Sequence, residues 1–230
     1  MQKLPRLDDR TSKVQKAYTV IKNSIINMDI KPGEALPEEK LVEQLGISRT
    51  PIRAALNKLA YEELVVIYPG KGTYVAEVSY KSMVNTLQIR EVLENLSVKL
   101  AAQSTNPQQY LKELAETIDC QKRSVEKKHG VLEFLEYDNK FHAIICEMAD
   151  NIILKKEIEN LKNKFNRFVI LSKSLNTRAG KVIEEHRMIL QALKTKDPVS
   201  SVAAMTMHIR NVKLGIEDGI KNIFNDNKLD

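Results

Sequence analysis

Two groups of residues in this 230-residue chain have types and spacings that could do chemistry. The first is the run Ser48-Arg49-Thr50-Pro51-Ile52-Arg53-Ala54-Ala55-Leu56. If Ser48 caps a helix, the first turns present Arg49, Thr50 and Arg53, and helix N-termini favour phosphate through free N–H groups and the dipole. Arg49 and Arg53 stand at i and i+4, hence on one face. Guanidinium is the side-chain group best shaped to pair with guanine O6 and N7 in the major groove. A basic helical face is often merely solvated, so its flanking elements must decide. The second group lies far downstream. Asp138 and His142 share a face of one expected helix, and His186 and His208 fall on two later ones. If those helices are neighbours, one carboxylate and three imidazoles converge on a single divalent metal. The competing reading is that helical bundles carry scattered Asp and His without any ligand. His129, in Lys127-Lys128-His129-Gly130, fits that plainer reading as an exposed helix end.

The elements needed to position these groups can be read from periodicity. Val14, Ala17, Tyr18, Ile21, Ile25 and Ile26 predict a helix from about Lys13 to Met28, which Lys31-Pro32-Gly33 ends. A short helix follows over about Glu38 to Leu45, with Gly46 suited to a left-handed cap. The Ser48 helix carries Pro51 in its first turn and runs to about Glu63, with Ile52, Leu56 and Leu59 on its packing face. Leu64–Tyr68 and Thr73–Val78 read as strands around the turn Pro69-Gly70-Lys71-Gly72. Three helices and a hairpin are the winged helix-turn-helix, and they favour the DNA reading of Arg49 and Arg53. In the wing, Gly70 and Gly72 allow close backbone approach and Lys71 reaches a phosphate or the minor groove; the same residues are also simply good turn formers.

Of the eight glycines, four lie before residue 73, and from about Ser79 long amphipathic patterns dominate. Six helices are expected, at about 79–105, 107–128, 131–149, 151–175, 178–195 and 198–222. Asn151 and Thr177 are plausible caps, and Pro107 and Pro198 sit at helix starts. The fold class is therefore mainly α: a winged helix-turn-helix over 1–78, then an all-α bundle over 79–230.

Composition narrows the function classes. Lysine and arginine exceed the acids, 36 to 30, a net charge of +6 that suits a polyanionic partner. No apolar run approaches the roughly 20 residues of a membrane span, and the first residues are no secretory signal. Two cysteines, Cys120 and Cys146, make no disulfide framework and point to the cytoplasm. Trp is absent and aromatics make up 5% of the chain, which disfavours single-strand binding on an aromatic platform.

The stretch ALPEEKLVEQLGISRTPIRAALNKLAYEELVVIYPGKGTYVAEV resembles the DNA-binding domain of the GntR family of bacterial regulators. That resemblance implies DNA contacts at Ser48, Arg49, Thr50, Arg53 and the wing residues Gly70, Lys71 and Gly72. Family members often carry an arginine where this chain has Glu39, so the second helix is expected to read DNA differently. Residues 79–222 are similar to the FadR-type ligand-binding (FCD) domain, on IREVLENLSVKLAA, DNKFHAIICEMADN, EEHRMILQAL and AAMTMHI. Six helices match its shorter variant. The resemblance implies metal ligands at Asp138, His142, His186 and His208, with zinc or nickel as the divalent ion. It further implies a homodimer on a palindromic operator, repression as the commoner mode, and a small organic acid effector.

Three imidazoles and one carboxylate leave a metal with net positive charge and open positions, which a carboxylate effector could fill. Arg90 suits a second contact to such an acid, or forms an i, i+4 ion pair with Glu94. Cys146, one turn beyond His142, either faces the metal or is a small core residue. Two other functions fit the same residues. The metal itself could be the signal, or the site could activate water as an enzyme, with Glu94, Glu147 or Glu185 as base.

Overall fold

The computed structural model describes residues 10–126 and 130–225, and His129 lies outside them. Among the described residues are nine helices and one hairpin, and the chain divides into two compact units at Val78/Ser79. No helix among them is long and apolar enough to cross a membrane.

The first unit holds α1 (Arg10–Ile26), α2 (Glu38–Leu45), α3 (Arg49–Tyr61), β1 (Val65–Tyr68) and β2 (Gly72–Val75). Ala17, Tyr18, Ile21 and Ile25 of α1 pack with Ile52, Leu56 and Leu59 of α3 in one core, closed by Leu64, Val65 and Val75. The isoleucine, leucine and valine side chains among them each contribute roughly 1.5–3 kcal/mol when fully buried. Gly46 ends α2 at φ 64°, its N–H donating to the Val42 carbonyl, as a left-handed cap requires. Ser48 occupies the N-cap position of α3 with extended backbone, but its hydroxyl makes no capping bond, contrary to expectation. β1 and β2 pair antiparallel with Val65 opposite Val75 and Tyr68 opposite Gly72. The returning strand stops at Val75, short of the expected Val78. The chain between α1 and α2 joins this sheet, a pairing that Lys31-Pro32-Gly33 did not announce: Leu36 N–H donates to the Thr73 carbonyl, and Val75 N–H to that of Glu34.

The second unit is a bundle of α4 (Tyr80–Ala101), α5 (Gln108–Val125), α6 (Val131–Met148), α7 (Ile152–Ser172), α8 (Leu175–Lys194) and α9 (Pro198–Asn225). Ser79 and Asn151 cap α4 and α7 by accepting the N–H groups of Ser82 and Leu154. Thr177 is no cap: α8 starts earlier, at Leu175, and the Thr177 hydroxyl bonds back to the Ser174 carbonyl. Helix α6 packs on α4, α5 and α7, and α8 packs on α5 and α9. That packing brings the inward faces of α6, α8 and α9 to one place.

Candidate metal centre and DNA-reading face

Asp138 and His142 of α6, His186 of α8 and His208 of α9 are all buried. One ligand atom from each lies within 4.8 Å of every other. The imidazole centroids stand 5.4 Å (His142–His186), 5.3 Å (His142–His208) and 4.7 Å (His186–His208) apart, and Phe141 stacks on His186 at 4.0 Å.

Each imidazole is held from behind. His142 Nδ1 is 2.9 Å from Glu94 Oε2, His186 Nδ1 is 2.9 Å from Gln121 Oε1, and His208 Nδ1 is 2.9 Å from Glu185 Oε2. All three partners are acceptors, so they select the Nδ1–H tautomer and leave each Nε2 lone pair for the centre. His142 Nε2 and His186 Nε2 are buried with no hydrogen-bond partner. A buried acceptor left unmade costs about 1–3 kcal/mol, a penalty that a metal ion would remove. Burial pushes the His186 imidazole well below its usual range, and His208, His142 and Arg90 push it further. His208 is lowered too, again chiefly by burial, against the opposing effect of its hydrogen bond to Glu185. Neutral imidazoles are the form that binds metal. Burial alone would raise the Glu94 carboxyl, but the hydrogen bond from His142 Nδ1 and the charge and hydrogen bond of Arg90 outweigh it and hold it below its usual range.

The holding groups are themselves held. Arg90 Nε donates to Glu94 Oε1 at 3.1 Å, and its guanidinium lies 3.7 Å over the Phe165 ring. The i, i+4 pair exists, then, but it is buried, and Arg90 Nη1 has no hydrogen-bond partner. Glu185 Oε1 accepts from both Arg178 Nη2 (2.8 Å) and Asn211 Nδ2 (3.0 Å). A cavity of about 20 Å³ touches Asp138 and His208 and is bounded also by Ser174 and Arg178. Cys146 stands apart from the ligand group: Ser97 Oγ donates to its Sγ at 3.4 Å, and burial pushes the thiol up to about 12. It is a core residue, packed with Leu154 and Ile158.

Gln121 and Arg178 were missed in the sequence, and Glu94 and Glu185 had been weighed as possible bases rather than as supports. Gln121 did leave a signal. It falls on the buried stripe Leu114, Thr117, Ile118, Gln121 and Ser124 of α5, a polar side chain where an apolar one is expected.

In the first unit, Ser48, Arg49, Thr50 and Arg53 are all exposed at the start of α3, opposite the buried Ile52, Leu56 and Leu59. Neither arginine is free. Arg49 Nη2 lies 2.8 Å from Glu39 Oε1, and Arg53 Nε lies 2.7 Å from Glu38 Oε2. Gly70 (φ 72°) and Gly72 (φ 105°) flank the exposed Lys71 at the hairpin tip, both in the left-handed region that favours glycine.

A winged helix-turn-helix followed by a helical bundle with a buried cluster of this kind defines a class, the two-domain DNA-binding regulators. Residues 13–75 match the family described as bacterial regulatory proteins, gntR family, and residues 85–211 match the FCD domain. The chain belongs to the GntR family and carries an FCD domain, and it is a DNA-binding transcriptional regulator. It is 29% identical over 198 residues to the HTH-type transcriptional repressor RspR of Escherichia coli strain K12, covering 86% of each chain. It is 30% identical over 170 residues to the HTH-type transcriptional regulator McbR of the same strain, covering 73% of this chain and 76% of that one. The solved structure of E. coli McbR/YncC superposes with a TM-score of 0.76 at 25% identity, covering 89% of this chain and 97% of that one. These families and relatives are regulators, and the enzyme reading falls with them. The three candidate bases are also engaged: Glu94 and Glu185 hold imidazoles, and Glu147 pairs with Lys155 at 2.7 Å.

Proposed function

We propose that this chain is a homodimeric repressor whose grip on operator DNA is set by a small carboxylate bound beside a divalent metal in the bundle. The observation that carries the reading is the convergence of Asp138, His142, His186 and His208, with every imidazole turned inward by a partner on Nδ1. Three imidazoles and a carboxylate suit zinc or nickel, and a four-ligand protein set leaves room for an effector oxygen. The unpartnered Arg90 Nη1 supports that arginine as one contact to the acid. Ser48, Arg49, Thr50 and Arg53 read the major groove in this account, and Gly70, Lys71 and Gly72 approach the backbone beside it. The dimer is supported by Ile89, Val92 and Leu96, which leave an exposed apolar stripe along α4. A symmetric dimer calls for a palindromic operator, and its place is the cytoplasm, beside the DNA.

The test is a gel-shift titration of the purified protein on the DNA upstream of its own gene, at two salt concentrations, with and without small organic acids. A salt-sensitive shift that an acid weakens is expected. Absence of any specific shift refutes the operator reading, and a shift indifferent to every acid refutes the effector reading.

A further inference from the structure

We propose that Arg178 reads the charge of the effector, so that the site selects a small monocarboxylate over its neutral isosteres; this rests on the metal-and-effector reading above. The cavity beside Asp138 and His208 is bounded by apolar side chains except at those two residues, Ser174 and Arg178. Arg178 is thus the one cationic side chain on its wall. A volume of about 20 Å³ has room for a water or two, the space of one carboxylate group.

Charge balance asks for one anion there. Arg90 pairs with Glu94 and Arg178 with Glu185, and Asp138 of the ligand set adds a third carboxylate to these two cations. A divalent ion turns that single negative excess into a single positive one, and burial makes an uncompensated charge costly. A monocarboxylate closes the balance.

Arg178 is also the arginine able to turn. The Glu185 oxygen that it contacts already accepts from Asn211, so Glu185 stays satisfied when the guanidinium leaves. Arg90 is pinned, with Nε on Glu94 and its plane against Phe165. Turning Arg178 reaches the ligand set as well, because the other Glu185 oxygen holds His208 Nδ1.

The seat of Arg178 explains two glycines in the middle of α9, where glycine weakens a helix. A Cβ at Gly215 would stand 2.5 Å from Arg178 Cδ, and one at Gly219 would stand 2.1 Å from the Ser172 carbonyl oxygen. The bare face of α9 therefore admits the α7–α8 corner and lays the Arg178 stem across it.

The experiment titrates glycolate and its neutral isostere glycolamide, by calorimetry, into the zinc-loaded full-length protein and its variants, with zinc per chain measured in each. Wild type is expected to bind glycolate at least about tenfold tighter than glycolamide. Arg178→Met should weaken glycolate about 10- to 100-fold, the loss of one charge-assisted contact, and leave glycolamide and zinc content unchanged. Arg178→Lys should recover part of the loss. Gly215→Ala, with Arg178 intact, should weaken glycolate by displacing the guanidinium, and it decides the matter if Arg178→Met does not fold. Equal glycolate binding by wild type and the folded Arg178 variant overturns the inference, as does a wild type that holds zinc but binds no glycolate. A wild type that holds no zinc overturns the reading beneath it.

Discussion

Replacing Glu39 by glutamine should tighten DNA binding. Arg49 Nη2 sits 2.8 Å from Glu39 Oε1, with side chains 59% and 81% exposed, so the pair must part before Arg49 meets DNA. An exposed ion pair of this kind is worth about 0.2–1 kcal/mol. The carboxylate left beside the phosphates adds a few tenths more of repulsion at physiological salt, where the screening length is about 8 Å. Together these predict roughly two- to tenfold tighter binding for Glu39→Gln, with the gain larger at low salt and shrinking as salt rises. Glutamine keeps the length and shape of the side chain, so α2 and its cap at Gly46 should be undisturbed. Fluorescence anisotropy of a labelled upstream duplex, titrated between low and moderate salt, reads the effect directly. Unchanged or weaker binding at every salt concentration would refute the argument that Glu39 holds Arg49 away from DNA.

The two halves of the account should separate by mutation. Arg53→Ala is expected to weaken DNA binding by about 1–3 kcal/mol with metal content unchanged, and His208→Ala to lose metal while still binding DNA; elemental analysis beside the anisotropy assay checks both, and joint loss of both properties in either variant contradicts the division. Gln121→Leu removes the acceptor behind His186 without removing a ligand, and should weaken zinc about 10- to 100-fold in a competition titration while the helical circular dichroism stays intact. The metal-free protein should lose stability as pH falls. His186 and His208 titrate below the ordinary 6.5 when folded, so the unfolded chain takes up protons first, and their contribution, present above 6.5, declines as pH drops through that value toward the folded ones. Thermal melts between pH 7.5 and 5 read this; a melting temperature that rises on acidification would contradict the neutral, buried imidazoles.

Much of this architecture was legible because it rests on local signals. Gly46 and the Gly70–Gly72 tip mark turns whose backbone admits few residues, Pro51 falls in the first turn of α3, and the 3.6-residue stripes of α1 and α3 bury the side chains they predict. Helix ends were less legible. Thr177 offered a hydroxyl, yet α8 begins before it, at Leu175, with no side-chain cap at its start. The metal-type set was readable only as four residues that could converge; what turns their rings inward is long-range. Gln121 lies 65 residues from His186, Glu94 lies 48 from His142, and nothing local announces either pairing. The ion pairs of the α3 arginines were not legible, because sequence distance hides the helix turn that sets Glu38 and Glu39 beside them. Arg178 was invisible for a similar reason: its importance arises from a cavity wall and from two glycines in another helix.

The central claim is that Asp138, His142, His186 and His208 form one metal site at the heart of the bundle. Its most direct test is the zinc retained per chain after equilibration with excess zinc and gel filtration, in wild type and in the Asp138→Ala/His208→Ala double variant. The account predicts one zinc per chain for wild type and little for the double variant. No retained zinc in wild type, or equal amounts in both proteins, would contradict it.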